Sequence, residues 1–173
     1  MDRVLVAYGS KYGATAEIAE AIGAVLGEQG FDVDVQRAAD VRSVADYRAV
    51  VLGSAVYMKR WRPSARRLLR RHADALAARD VWLFNSGSVG QSAADDSDEA
   101  LRWTRPAKIR KLGERVGVHD NVVFGGRVAE DGGFMRRNMA KNTPEATRDC
   151  RNWDQIATWA RGIAATLAQT GSR

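Results

Sequence analysis

The residues best suited to chemistry gather in one short stretch, Tyr8-Gly9-Ser10-Lys11-Tyr12-Gly13-Ala14-Thr15. It joins an apolar run to a segment of helical periodicity. A plain strand-to-helix connection needs one turn residue and one cap, whereas this one carries two glycines and two hydroxyls. The backbone N–H groups of residues 11–15 would converge ahead of the helix. Unpaired amides and partial positive charge make that end of a helix attractive to anions. Ser10 and Thr15 can add hydroxyl donors, and Gly13 lets the backbone approach closely. The pattern suits phosphate binding. Its spacing is neither the Gly-Lys-Ser/Thr ending of the Walker loop nor the dinucleotide Gly-x-Gly-x-x-Gly. An elaborate N-cap, in which Ser10 or Thr15 serves only the helix, is the other reading of these residues.

Other candidate groups are sparse. The single cysteine, Cys150, has no partner for an internal disulfide, which fits a reducing compartment, and it reads as a spectator thiol. His72 and His119 are far apart, without the spacing of a metal site, and read as surface or partly buried residues. The chain has 173 residues and a net charge of +6, and that charge is local. Lys59, Arg60, Arg62, Arg66, Arg67, Arg70 and Arg71 form a run without an acid, and the remainder of the chain sums to −1. No nucleic-acid motif accompanies this basic helix, so nucleic acid is not an expected partner.

The elements that position the loop can be read from periodicity. Residues 3–8 form a near-continuous apolar run, as in a parallel strand buried on both faces. Ile18, Ala19, Ile22, Val25 and Leu26 repeat at helical spacing across residues 14–27. Residues 31–36 alternate like an edge strand with one wet face, and 49–52 form a third strand. A helix over 63–78 begins at Pro63 and turns Ala65, Leu68, Leu69, His72 and Leu76 inward. Residues 81–87 and 121–128 read as the fourth and fifth strands, and 153–168 as a closing helix. Residues 88–101 and 129–151 show no clear structure. Strand and helix alternate, which predicts a doubly wound three-layer α/β sandwich with a five-stranded parallel sheet in order 2-1-3-4-5. The length suits one domain over residues 1–173. No apolar run reaches the roughly 20 residues of a membrane span, and the first residues lack the pattern of a signal peptide. The expected location is cytoplasmic, with a peripheral place at the inner face of the membrane as a variant.

Tyr8, Ser10, Gly13, Thr15, Ala19 and Ile22 stand at the offsets of the flavodoxin signature, and the chain resembles that family over nearly its whole length. Ala7 departs from it, since a bulkier residue usually precedes the aromatic. The stretches "SAVYMKRWRPSARRLLRRHA" and "WDQIATWARGIA" resemble the branch that contains menaquinone-dependent protoporphyrinogen oxidase. The resemblance implies a flavodoxin-like fold and an FMN cofactor, with the phosphate on Ser10, Lys11, Tyr12, Gly13, Ala14 and Thr15. It also implies that the loops after strands three and four hold the isoalloxazine ring. By position these supply Ala55, Val56, Tyr57 and Met58, then Ser86, Gly87, Ser88, Val89 and Gly90. Tyr57 is the expected stacking residue, with Trp61 in reserve. The second loop has no aromatic, so its backbone amides are expected to meet the pyrimidine edge.

Two functions of different class follow from the resemblance. One is an FMN-dependent oxidoreductase passing electrons between a small-molecule donor and a quinone-like acceptor, with the cofactor supplying the redox chemistry. The other is a non-catalytic electron-transport flavodoxin that docks to partner proteins. A deazaflavin in place of FMN is a third variant. No side chain stands out as a catalytic acid or base. The basic helix reads either as a solvated face or as a docking surface for an anionic partner: an acidic redox protein, an acidic cofactor tail or an anionic membrane surface. Residues 132–148 are shorter and poorer in aromatics than the corresponding segment of the quinone-linked branch.

Overall fold

A computed structural model describes residues 2–88, 104–128 and 133–171. Strand β1 (Arg3–Gly9) leads through the glycine-rich loop into helix α1 (Ala14–Glu28), and β2 (Asp32–Arg37) follows. Strand β3 (Ala49–Tyr57) turns back at once into the two-residue β4 (Arg60–Trp61), then into α2 (Pro63–Arg71) and α3 (Ala73–Ala77). Strand β5 (Asp80–Ser88), helix α4 (Ala107–Val116), β6 (Asp120–Gly125), α5 (Phe134–Asn142) and α6 (Trp153–Thr170) complete the order. The parallel sheet runs β2-β1-β3-β5-β6, with β4 paired antiparallel to β3. Counting only the parallel strands, this is the expected 2-1-3-4-5 order.

The apolar run of β1 has a direct physical cause. Val4 and Val6 point to one face of the sheet, Leu5 and Ala7 to the other, and all four are fully buried. On the first face they meet Ile18 and Ile22 of α1 with Ile156, Ile163 and Leu167 of α6. On the second they meet Leu68 and Leu69 of α2, Leu76 of α3 and Ile109 of α4. The sandwich therefore has a core on each side of the sheet. Strand β2 at the edge departs from the expected alternation: Val35 is exposed, whereas Asp34 and Gln36 are half-buried, with Asp34 accepting from Arg3 at 2.6 Å and from the Tyr47 hydroxyl at 2.7 Å.

Several expectations need correction. The helix expected over 63–78 breaks at His72, which leaves α2 and α3 with a turn between them. Leu68 O accepts from His72 N–H, and His72 O accepts from Leu76 N–H, so the break is bridged without loss of packing. Ala73 is buried there, whereas His72 stays half-buried. Residues 129–151, read as unstructured, contain α5, a 3₁₀ turn (Glu145–Thr147) and a bridge between Arg127 and Asp149. Strand β5 extends to Ser88, and the rest of 88–101 lies outside the described residues. Helix α4 and strand β4 had no counterpart in the sequence reading.

Candidate functional site

The carboxyl ends of β1, β3, β5 and β6 face a common crevice, the usual ligand position in an open parallel sheet. A cleft of about 450 Å³ opens there. Ala14 and Thr15 at the start of α1 form one end. The β3 terminus (Ala55, Val56, Tyr57, Met58) and Ser86 with Gly87 form the walls, and Arg127 and Met139 close the remaining side. Eight of the residues nominated from sequence thus stand around one space. Ser10, Lys11, Tyr12 and Gly13 form the adjoining loop and are not on its wall. Ser88 ends β5, whereas Val89 and Gly90 lie outside the described residues.

The loop is held by its own backbone. Gly13 is the N-cap of α1 at φ +88°, a left-handed conformation that disfavours any residue with a Cβ. Its N–H donates to Ser10 Oγ at 3.1 Å, and its carbonyl accepts from Glu17 N–H to start the helix. One of the amides expected to face an anion is therefore spent on Ser10. The amides of Ala14, Thr15 and Ala16, ahead of that bond, have no acceptor within the helix. Thr15 is buried beside them and lines the cleft. Lys11 is exposed, with Nζ 5.1 Å from the centre of the Tyr12 ring.

The part of the cleft between β3 and β5 depends on close backbone approach. A Cβ on Gly87 would stand 2.7 Å from Val56 O, so only glycine lets β5 pass the end of β3 here. The β5–β6 register shifts between Ser86 and Ser88, which bulges Gly87 out of the ladder toward the cleft. Tyr57 stands 38% exposed at the rim, with Met58 beside it at 90%. Met58 and Lys59 form the tip of the β3–β4 hairpin at φ +47° and +59°. Asn-Gly is the usual pair in such a turn, and each bulkier residue there costs on the order of 1–2 kcal/mol.

Trp61 does not serve as a reserve stacking residue. It is 3% exposed, and its Nε1 donates to Asn85 Oδ1 at 2.7 Å. Asn85 is itself buried and donates to Asn121 Oδ1 and Val122 O, so one amide ties β4, β5 and β6 together. Ser54 is likewise structural, accepting from Arg62 N–H and donating to Ala55 O, both at 2.8 Å.

Sequence reasoning missed the charged frame behind the start of α1. Arg151, whose side chain is 4% exposed, bonds Glu17 of α1 and holds Asp149 at 2.6 Å. Arg127 reaches the same Glu17 at 3.2 Å from the cleft wall. Hydrogen bonding from Arg151 is the largest influence on both carboxyls and holds each below the ordinary carboxylate range. The same bonds raise Arg151, mainly through Asp149. The cluster ties the first turn of α1 to the chain entering α6. No local motif announces it, because Glu17, Arg127 and Arg151 are brought together only by the fold.

The fold and crevice define an α/β protein of the flavodoxin-like class. A family model described as "Flavodoxin domain" matches residues 5–149, and the chain belongs to that family. No curated protein matches the sequence. Among solved structures, a cysteine-to-serine mutant of flavodoxin from Pseudomonas aeruginosa is similar, with a TM-score of 0.62 and 17% identity. That match covers 96% of this chain and 99% of the other. The rubredoxin oxygen:oxidoreductase from Desulfovibrio gigas matches with a TM-score of 0.65 and 15% identity, over 100% of this chain and 38% of its own. A flavodoxin from the domain Archaea matches at 0.59 and 17%, over 96% and 99%. The family supports FMN-binding electron transfer in general terms.

Proposed function

We propose that the chain, acting as one domain over residues 1–173, binds FMN and works as an oxidoreductase. Electrons would pass between a small-molecule donor and a quinone-like acceptor. When bound, FMN supplies the redox chemistry, and the protein supplies anchoring, orientation and exclusion of water. The observation that carries the reading is the single cleft that joins the start of α1 to Tyr57 and the bulged Gly87. Its residues fit the group. Thr15 and the first-turn amides would hold the phosphate, with the positive end of α1 behind them. Tyr57 would stack on the ring, and the backbone of Ser86 and Gly87 would meet its polar edge. Val56 and Met139 would limit water. FMN is preferred to a deazaflavin because the loop at the start of α1 is sized for a terminal phosphate.

One observation favours the carrier as a second reading. Arg62, Arg66, Arg67, Arg70 and Arg71 form no ion pair with any described residue. Such a surface suits an acidic redox protein or an anionic membrane face in the cytoplasm. Among the described residues no helix is long and apolar enough to cross a membrane. Steady-state turnover of the FMN-loaded protein with a soluble quinone and a chemical reductant separates the two. Turnover without any partner protein supports the enzyme. Reduction that is rapid only when an acidic partner is added supports the carrier.

A further inference from the structure

The β3–β4 hairpin is a wall shared by two clefts. Tyr57 and Met58 line the first, and Lys59 and Arg60 line a second of about 440 Å³. The second cleft has an apolar base of Trp61, Pro106 and Ile109, all buried. Around it stand Lys59, Arg60, Arg66 of α2 and Lys108 of α4, four cations with no acid among the described lining residues. Arg60, Arg66 and Lys108 form no ion pair with a described residue. Like charges gathered in a concavity with low-dielectric walls focus their field on whatever enters.

Three further donors stand at the start of α4, two on the cleft lining and one on the residue just before it. The first hydrogen bonds of α4 run from Ile109 and Arg110 to Pro106 O, so the amides of Ala107 and Lys108 have no helical acceptor. Arg105, immediately before Pro106, has a buried Nε without a hydrogen-bond partner, a state that native proteins seldom leave unexplained. The left-handed Met58 and Lys59 complete the picture. Strained turns of this kind persist where the surroundings fix them, and they recur at ligand clamps.

We propose that this basic cleft binds a small organic polyanion through its phosphoryl group or clustered carboxylates. A concave space of this size matches a small molecule, for which sites of roughly 300–1,000 Å³ are usual, better than the flat face of a protein. The shared hairpin would set that molecule next to Tyr57. That it is the small donor or acceptor of the proposed reaction rests on the FMN reading; the anion site itself does not.

The test is calorimetric titration of the full chain at low salt, flavin-free and FMN-loaded, with pyrophosphate and with citrate as probes. Saturable binding of either probe is expected, with the tighter one identifying phosphoryl or carboxylate chemistry. Lys108→Glu and Arg66→Glu, both at exposed side chains, should each weaken binding by about tenfold or more. Arg161→Glu makes the same charge change on α6, across the sheet, and should weaken binding by no more than about twofold. Lys108→Gln provides a milder check should a charge reversal disturb folding. Absence of binding by both probes overturns the site. So does wild-type affinity in the cleft variants, or an equal loss in Arg161→Glu. A parallel FMN titration keeps the two readings apart: loss of flavin binding with anion binding intact refutes only the FMN assignment.

Discussion

Replacing Trp61 by Phe distinguishes a structural tryptophan from a flavin-stacking one. The substitution keeps an aromatic ring but removes the Nε1 donor that reaches Asn85 Oδ1 at 2.7 Å. Asn85 is fully buried, and its amide nitrogen is already committed to Asn121 and Val122. Its carbonyl oxygen would thus be left without this donor in a dry environment. An unmet buried acceptor costs about 1–3 kcal/mol, and the smaller ring adds a modest cavity term. A loss of about 2 kcal/mol is expected, equivalent to about 4–8 °C in Tm for a chain of this size. Urea denaturation should show a lower midpoint with an unchanged slope. FMN affinity should stay within about twofold of wild type, since Trp61 is absent from the wall of the cleft that starts at α1. Tyr57→Ala should do the reverse, lowering FMN affinity by about 1–2 kcal/mol and restoring flavin emission at a smaller cost in stability. Unfolding of Trp61→Phe at the wild-type midpoint, or a loss of FMN as full as in Tyr57→Ala, would refute the structural role.

Gly13→Val should lower both stability and FMN affinity. Nothing lies within 4 Å of the added Cβ, so the cost comes from φ +88° and not from a clash. Gly13→Asn, which tolerates that conformation, should be milder in thermal melts and titrations. Acid should loosen the frame behind the loop. Glu17 and Asp149 are held below their ordinary range, so their stabilisation is complete above about pH 4 and is lost as pH falls through the depressed values. Equilibrium unfolding of Glu17→Gln should show a flatter acid limb than wild type. Binding to anionic vesicles or an acidic redox partner should fall in an Arg66→Glu, Arg70→Glu variant. Each such residue is worth about 1 kcal/mol near anionic lipid, and about 0.15 M salt screens charges beyond about 8 Å. Unchanged binding at low salt would remove the docking role.

The strands were legible because burial on both faces demands uninterrupted apolar residues, as in Val4 to Ala7 and Val50 to Leu52. The loop that starts α1 was legible because Gly13 and its neighbouring hydroxyls are local in the chain. The far wall of the cleft was not, since Gly126, Arg127, Val128 and Met139 reach it from distant segments. Helix α5 escaped notice because it lacks a continuous apolar stripe, and Phe134 and Met139 are both exposed. Trp61 was ambiguous in sequence for a related reason. An amphipathic ring in a basic stretch could cover a helix or a cofactor, and only Asn85, 24 residues away, decides between them.

A phosphate held at the start of α1 is the central claim. A side-by-side titration of the wild-type protein with FMN and riboflavin tests it directly, using flavin fluorescence or calorimetry. FMN should bind at least about tenfold more tightly, because charge-assisted hydrogen bonds to the phosphate are lost in riboflavin. Thr15→Ala should then narrow the gap between the two ligands. Equal affinity for FMN and riboflavin would contradict the assignment of this loop.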